Sequence, residues 1–328
     1  MDDVARAAGV SRALVSIVFA DKPGASTETR ARVRQVAADL GYQIDRRARL
    51  LGGKQTKLIG VTFVVGSLYH ADLLVPLYAA ARERGYELAL SGVVADQSSE
   101  RRSLDDLVAM RCDAVILLAP LMRRSDIAAA AIDAPPMVVV GGVLQAAGVD
   151  TVSTDDTKGA ELATGYLLEL GHRRIMHVDG GREPAGVARR RGFRKVMRAH
   201  RLEPLVLPGG PDPDDGTRVA REILRYPAEI RPTATWVFND QSASGFLATA
   251  RYLGCRVPED MSLIGYDDSG PARAEWASLT SIRQDIDAIA DAAVELVVAR
   301  VGGDDSDDQT VLIEPQLVVR DTTAPPSH

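Results

Sequence analysis

The chain has 328 residues, of which 46% are hydrophobic and 26% charged, and its net charge is −6. This length suits two or three domains, and the composition is that of a globular protein in water, since no run approaches the roughly 18 apolar residues of a membrane span. The first residues lack the basic and apolar regions of a secretory signal, which predicts a cytoplasmic protein with no membrane partner.

Charge is distributed unevenly along the chain. Residues 1–56 carry ten Lys and Arg against six Asp and Glu, a net charge of +4, which leaves −10 for the remainder. A basic segment on an acidic chain indicates a polyanionic partner such as nucleic acid, although a solvated basic face explains the charge alone equally well. Cys112 and Cys255 lie in apolar contexts and are predicted to be buried core thiols.

The first 41 residues predict three short helices. Asp2 or Asp3 can cap a helix that ends near Ala8, and Ser11 can cap a second helix after a Gly9 turn. Ser26 can cap a third helix that Gly41 stops. This order is typical of a helix-turn-helix. The predicted core residues are Val4, Ala5, Ala8, Leu14, Val15, Val18, Phe19, Val33, Val36, Ala37 and Leu40.

The second predicted helix leaves one face free for a partner. Arg12, Ala13, Ser16 and Ile17 follow the spacing i, i+1, i+4, i+5, which places them opposite the apolar side. A short basic segment, 45–51, can form one more helix between Asp45 and the glycines that follow Leu51. A helix this short is marginal in water, so we expect it to fold only on DNA, and a plain basic linker is the alternative.

From Leu58 onward, short apolar runs alternate with amphipathic helical segments. This order predicts parallel sheets buried on both faces. The predicted strands are 58–65, 86–90, 113–118, 136–140, 174–179, 234–238 and 261–265, and the clearest helices are 71–84, 99–110, 156–170 and 242–253. Nucleophile-elbow, Walker and dinucleotide-binding motifs are absent, and His172 and His177 fit neither zinc nor a triad, so we predict no enzyme, metal site or cofactor.

Linked motifs along the chain resemble the LacI/GalR family of bacterial transcription regulators. Those in the first 42 residues are Asp3-Val4-Ala5, Ala8-Gly9-Val10-Ser11, Val15-Ser16, Lys22-Pro23-Gly24, Thr29-Arg30-x-Arg32-Val33 and Leu40-Gly41-Tyr42. Later ones include Leu170-Gly171-His172, Asn239-Asp240, Gly265-Tyr266-Asp267-Asp268 and Leu279-Thr280-Ser281-Ile282-x-Gln284. The resemblance covers essentially the whole chain.

The resemblance implies an all-α helix-turn-helix headpiece joined to an α/β, two-lobed sensor domain of the type I periplasmic-binding-protein fold. The headpiece is expected at 1–44, the hinge helix and linker at 45–56, and the effector-binding and dimerisation domain at 57–328. The family fold has three crossings between its lobes. They are expected near 152–155, 281–285 and 309, which gives lobe 1 about 57–152 and 285–308, and lobe 2 about 155–281 and 309–320.

The same resemblance implies a double-stranded DNA operator, bound by a homodimer. The expected DNA-binding residues are Arg12, Ala13, Ser16, Ile17, Thr29, Arg30, Arg46, Arg49 and Leu51. Leu51 aligns with a leucine that enters the minor groove as a wedge. Ile17 stands where the family often has Arg, and its methyl groups could meet a thymine methyl instead of hydrogen-bonding a guanine.

For the sensor domain, the resemblance implies a repressor released by a carbohydrate or carbohydrate derivative held between the lobes. Arg189, Asn239 and Asp268 match positions that line this cleft, and Gln284 joins them as a candidate. Tyr69 or His70 could stack on a sugar face or could be ordinary packing residues. A corepressor-dependent regulator or an activator is an open alternative, whereas a solute-binding protein without a DNA role is disfavoured by the headpiece.

The end of the sequence bears on assembly. Asp321–His328 contains two prolines and is too short for the coiled coil that tetrameric relatives carry, so a dimer is expected instead of a tetramer. The helices at 71–84 and 242–253 are apolar enough to contribute to a dimer interface, or they simply cover the sheets.

Overall fold

The computed structural model describes residues 1–19, 23–41, 55–94, 97–143 and 146–327. The chain divides into two compact units, Met1–Thr56 and Lys57–His328. The predicted hinge helix at 45–51 lies outside the described residues. Within the described part, no helix is long and apolar enough to cross a membrane.

The small unit contains three helices, α1 (Asp2–Ala8), α2 (Arg12–Phe19) and α3 (Thr27–Asp39). Gly9 ends α1 in the left-handed conformation with φ of 64°, which suits a residue without a β-carbon. As predicted, Ser11 Oγ accepts from Leu14 N at 3.1 Å and Ser26 Oγ accepts from Thr29 N at 3.2 Å. These caps set where the second and third helices begin.

Three details of the small unit differ from the sequence prediction. Leu14, predicted in the core, is half-buried and lies outside the core cluster. The N-cap of α1 is Met1, which has no carboxylate, so Asp2 and Asp3 lie in the first turn instead of capping it. Leu40 is 52% exposed because it follows the last turn of α3 and points away from the packed stripe. The buried core is small and consists of Val4, Ala5, Ala8, Val15, Val18, Val33 and Ala37.

The large unit contains two six-stranded sheets. Sheet 1 has the order β11-β5-β4-β3-β1-β2, and sheet 2 has the order β12-β10-β9-β8-β6-β7. The strands of sheet 1 are β1 (Leu58–Val64), β2 (Glu87–Val93), β3 (Ala114–Leu118), β4 (Met137–Val140), β5 (Val149–Thr154) and β11 (Thr310–Ile313). Those of sheet 2 are β6 (Ile175–Val178), β7 (Leu205–Leu207), β8 (Ala234–Val237), β9 (Ser262–Asp267), β10 (Thr280–Arg283) and β12 (Gln316–Val318).

All pairings are parallel except that of β10 with β12. Every residue of β3, β4, β6 and β8 is buried, as expected for parallel strands covered on both faces. The predicted alternation of strands and helices is therefore confirmed for these elements.

Helices cover both faces of each sheet. Those of lobe 1, the layer built on sheet 1, are α4 (Leu68–Glu83), α5 (Gln97–Ala109), α6 (Arg124–Ala131) and α12 (Ile286–Val301). Those of lobe 2, the layer built on sheet 2, are α7 (Asp156–Glu169), α8 (Gly186–Ala199), α9 (Pro213–Ile223), α10 (Asp240–Tyr252) and α11 (Gly270–Arg273). Gly216 and Gly245 allow α9 and α10 to pack closely, since a β-carbon at either position would collide with the backbone of the other helix.

The chain crosses between the lobes three times. It leaves β5 for α7, leaves β10 for α12, and leaves β11 for β12. The last crossing, expected near 309, lies at residues 314–315, because β11 pairs with β5 and so completes sheet 1. Gln309 N donates to Asp150 Oδ1 at 2.7 Å, and Thr151 N donates to Gln309 O at 2.8 Å, which fixes this pairing.

Candidate DNA-binding face and ligand cleft

The outer face of α2 presents most of its predicted DNA-contacting side chains to solvent. The Arg12 side chain is 70% exposed, and its nearest acid, the equally exposed Asp2, is 3.7 Å away. Ala13 and Ser16 are exposed beside it. Ile17 is half-buried, next to the turn that contains Gly24. The four positions share one helix face, as the spacing predicted, with Ile17 at its packed edge.

The other predicted DNA-contacting residues differ in their surroundings. Thr29 is half-buried, and its hydroxyl lies 2.9 Å from Ser26 Oγ at the start of α3. Arg30 Nε donates to Ala25 O at 3.3 Å. Arg46, Arg49 and Leu51 lie outside the described residues, so their roles stay predictions.

A cavity of about 410 Å³ lies between the lobes, beside the second and third crossings. Of the predicted effector residues, Tyr69, Asp268 and Gln284 line it, whereas Arg189, Asn239 and His70 do not. The full lining is Tyr69, Asp72, Asp267, Asp268, Ser269, Arg273, Arg283, Gln284, Asp285, Ile286, Asp287, Glu314 and Gln316. Both lobes therefore contribute side chains to one polar cavity.

Arg189 is buried beside this cavity, and two of its guanidinium nitrogens are hydrogen-bonded within the protein. Its Nε donates to Asp156 Oδ1 at 2.8 Å and its Nη1 donates to Phe238 O at 2.5 Å. The guanidinium lies 3.5 Å from the centre of the Tyr266 ring. Burial opposes its ionisation, but the nearby negative charge, that of Asp156 above all, outweighs burial and raises the pKa of Arg189. Arg189 therefore stays charged and holds Asp156 and the Phe238 carbonyl together within lobe 2.

Asp268 has a structural role that the sequence did not indicate. Its buried carboxylate accepts from Arg283 Nε at 2.7 Å and from Arg320 Nη2 at 2.5 Å. Both oxygens are thus used by the protein itself. Each carboxylate oxygen can still accept a further hydrogen bond, so the ligand contact of Asp268 stays a prediction beside this structural role.

The neighbouring Asp267 faces the cavity with fewer partners. Its Oδ1 accepts from Gln284 Nε2 at 2.7 Å, and no cation lies within ion-pair distance among the described residues. Burial raises its pKa well above the ordinary range. Sequence reasoning missed this residue because both aspartates of the motif have positive φ, 106° and 53°, so strand alternation does not tell which one faces the cleft.

Gln284 links the cavity to two crossings. Its Oε1 accepts from Thr154 Oγ1 at 2.5 Å, while its Nε2 donates to Asp267. Thr154 ends β5, and Gln284 follows β10. A continuous hydrogen-bonded chain therefore runs from one crossing through a second to the cavity carboxyl.

His70 and Asn239 have local structural roles. His70 Nδ1 accepts from Val64 N at 3.0 Å, and burial lowers the pKa of this imidazole to about 4. This geometry matches the packing alternative for His70 and not the stacking one. Asn239 Oδ1 accepts from Ser242 N at 2.8 Å and caps α10.

The two lobes also touch directly at the edges of the cleft. The Gln241 amide donates to Gly66 O at 3.2 Å and accepts from Leu68 N at 3.3 Å. Arg273 of lobe 2 lies 3.6 Å from Asp72 of lobe 1. These contacts join the lobes around the cavity.

A helix-turn-helix with an exposed second helix, together with a two-lobed domain that encloses a polar cavity, defines the class of ligand-sensing DNA-binding regulators. Residues 1–45 match the family described as bacterial regulatory proteins, lacI family, and residues 164–323 match the periplasmic binding protein-like domain. Over 99% of its length the chain is 30% identical to the HTH-type transcriptional regulator GalR of Salmonella typhimurium, of which it covers 96%.

Solved structures agree with this match. The lac repressor dimer bound to operator and the anti-inducer ONPF is similar with a TM-score of 0.87 at 28% identity, covering 98% of each chain. The transcriptional regulator CelR in complex with cellobiose gives a TM-score of 0.73 at 28% identity, again over 98% of each chain. The chain belongs to the LacI family and is a DNA-binding transcriptional regulator, not an enzyme. The predicted family and fold class are confirmed.

Proposed function

We propose that this regulator is a homodimeric repressor that acts on chromosomal DNA in the cytoplasm and leaves its operator when a small ligand binds between the lobes. The lac repressor is a dimer on its operator, and CelR binds cellobiose, which supports a carbohydrate or carbohydrate derivative as ligand. The exposed face of α2, with Arg12, Ala13 and Ser16, reads bases in the major groove.

The chain of hydrogen bonds from Thr154 through Gln284 to Asp267 is the observation that carries this proposal. A ligand that bonds to Asp267 changes the surroundings of the carboxyl that Gln284 contacts, and Gln284 also accepts from Thr154 at the end of β5. Ligand binding therefore favours one arrangement of the crossings over another, which is the differential interaction that allosteric control requires.

Operator binding is tested with the full chain and a fluorescent duplex from its own promoter region. Anisotropy should show binding that weakens steeply with salt, because basic side chains displace condensed counterions. Affinity that does not change with salt, or no affinity for any promoter fragment, refutes the proposal. A ligand that strengthens operator binding instead of weakening it identifies a corepressor-dependent regulator.

The coupling role of Gln284 is tested with Gln284→Ala. This variant should keep its operator affinity while its response to ligand falls, since the hydrogen-bond chain is cut. Gln316→Ala is the matched control, because Gln316 is an exposed residue of β12 that lines the same cavity. If the two variants responded equally to ligand, Gln284 would have no specific part in coupling ligand binding to operator binding.

A further inference from the structure

The cavity between the lobes is strongly acidic. Its lining has six carboxyl groups, from Asp72, Asp267, Asp268, Asp285, Asp287 and Glu314, and two guanidinium groups, from Arg273 and Arg283. The ion pairs inside the protein account for two of the carboxylates. Asp268 is matched by Arg283 and Arg320, and Asp72 lies 3.6 Å from Arg273.

Four carboxyl groups have no ion-pair partner among the described residues. Asp285, Asp287 and Glu314 are exposed at the cavity, and Asp267 lies deeper. One oxygen of Asp285 accepts from Ala288 N at 3.0 Å as the cap of α12, which leaves its second oxygen to the cavity. The unmatched charge is therefore negative.

These four groups come from separate parts of the chain. Asp267 ends β9, Asp285 and Asp287 begin α12, and Glu314 lies in the last crossing. A solvated acidic helix face would draw its charges from one element, whereas here the end of β9, the start of α12 and the last crossing bring them to a common cavity. Like charges gathered in this way repel one another, and a bound cation relieves that repulsion.

The other wall of the cavity is aromatic. Tyr69 lines it, and an aromatic ring attracts a cation to its face. No three His, Cys, Asp or Glu side chains of the described chain are placed to hold a metal ion. The volume of about 410 Å³ falls in the range of small-molecule pockets. An organic cation suits this combination of size, aromatic wall and dispersed carboxylates.

We propose that the effector is a small organic cation, an ammonium-bearing sugar or a comparable polyhydroxylated amine, whose charge is held by Asp267, Asp287 and Glu314 beside the Tyr69 ring. This inference rests on the proposed function, because it names the ligand of the same cleft. A hydroxyl group of such a ligand finds a partner in Gln284, which lines the same cavity.

Proton linkage follows from the position of Asp267. Burial, supported by the nearby Asp240 and Asp156, raises the pKa of this carboxyl against the opposing effects of Arg189 and the Gln284 hydrogen bond. The free protein therefore keeps its proton to a higher pH than an ordinary aspartate does. An ammonium group beside it favours the carboxylate and expels the proton. Binding of the amine should therefore strengthen as pH rises, until the amine itself loses its charge.

Calorimetry with three hexopyranoses of similar shape and different charge tests the proposal on the full chain. The probes are glucosamine, glucose and glucuronate, at a pH of about 6.5, where the amine is charged. Glucosamine should bind about tenfold more tightly than glucose, and glucuronate should bind least. Equal or tighter binding of glucose or glucuronate overturns the proposal, and so does the failure of glucosamine to bind at millimolar concentration.

A paired charge removal locates the effect. Asp287→Asn with Glu314→Gln should abolish the preference for glucosamine over glucose. Asp133→Asn with Glu229→Gln is the matched control, since these acids are exposed and do not line the cavity. Loss of preference in both pairs, or in neither, overturns the assignment to the cavity.

A separate operator titration distinguishes this proposal from the proposed function. Operator binding without a preference for glucosamine leaves the regulator intact and refutes only the cationic ligand. A preference for glucosamine without operator binding refutes the repressor and keeps the cavity assignment.

Discussion

The candidate DNA-binding face and the ligand cleft place their polar side chains in opposite environments. On α2, Arg12 and Ser16 stand in solvent, and little of the protein holds them. In the cleft, Arg189 and Asp268 are buried, and each is bonded on more than one side. A polar group in water needs no partner, whereas a buried one must find one. A substitution on the face should therefore change binding alone, while one at the cleft should also change stability.

Removal of the Asp268 carboxylate should have the largest effect. Asp268→Ala leaves the guanidinium groups of Arg283 and Arg320 without their shared partner. The cost should be about 3 kcal/mol, the lower end for breaking a buried pair, because the Arg283 side chain is 47% exposed and water screens its charge. Calorimetric melting should show the large unit unfolding at a lower temperature. Asp287→Asn is the control, since this acid is exposed. A fully stable Asp268→Ala that loses only its ligand response would support a direct ligand contact and not the structural role.

Acid should destabilise the large unit through His70. Burial lowers the pKa of His70 to about 4, below its pKa in the unfolded chain. The stabilisation by the neutral imidazole is therefore complete above about pH 6.5 and is lost as pH falls towards 4. In this range the free energy of unfolding falls by up to about 1.4 kcal/mol per pH unit. His70→Asn keeps an acceptor for Val64 N without a titrating ring, and its stability profile should be flatter than that of the parent over this window. Urea unfolding at several pH values measures the difference.

The control for that experiment is His200→Asn, because His200 is exposed at the end of α8. The same flattening in both variants would mean that the pH dependence does not come from the His70–Val64 hydrogen bond.

Arg12→Ala should weaken operator binding by about 1–3 kcal/mol and relax base preference, if Arg12 bonds a guanine at two points. Its stability should hardly change, because the exposed ion pair with Asp2 contributes little. Anisotropy on a set of single-base operator variants measures both effects. Arg6→Ala is the matched control, with an equally exposed pair to Asp3 on α1. An equal loss on every sequence would make Arg12 a phosphate contact.

The smallest expected effect concerns the cap of α3. Ser26→Ala removes the acceptor for Thr29 N and should destabilise the small unit by about 1 kcal/mol. Ser16→Ala lies in the middle of α2 on the exposed face and should not destabilise it. Thermal melting followed by helical circular dichroism compares the two. If both variants melted at the same temperature, the Ser26 cap would contribute nothing measurable to stability.

The same contrast explains what the sequence could predict. The bounds of α2 and the face that carries Arg12 follow from caps and helical spacing, both of which are local. The strands β3, β4 and β8 are continuous apolar runs and were predicted for that reason. The family motifs then supplied the lobed architecture and the general position of the cleft.

The missed features depend on contacts between distant segments. β7 and β12 have three residues each and are half-buried or exposed, so they have no distinct apolar run. The sequence assigned β11 to lobe 2, and only its pairing with β5 places it in sheet 1. The separate roles of Asp267 and Asp268 are set by Arg283, Arg320 and Gln284, and adjacency in sequence does not reveal which carboxyl each of them meets.

The late position of α12 has a consequence for synthesis of the protein on the ribosome. Ile289, Ala293, Val294 and Val297 of this helix complete the apolar core that Ile59 and Leu73 begin. All of lobe 2 up to β10 is translated between these two sets of residues. The nascent chain therefore carries an uncovered hydrophobic surface on its earliest sheet until residue 301 has emerged, and exposed apolar surface of this kind favours aggregation until it is covered.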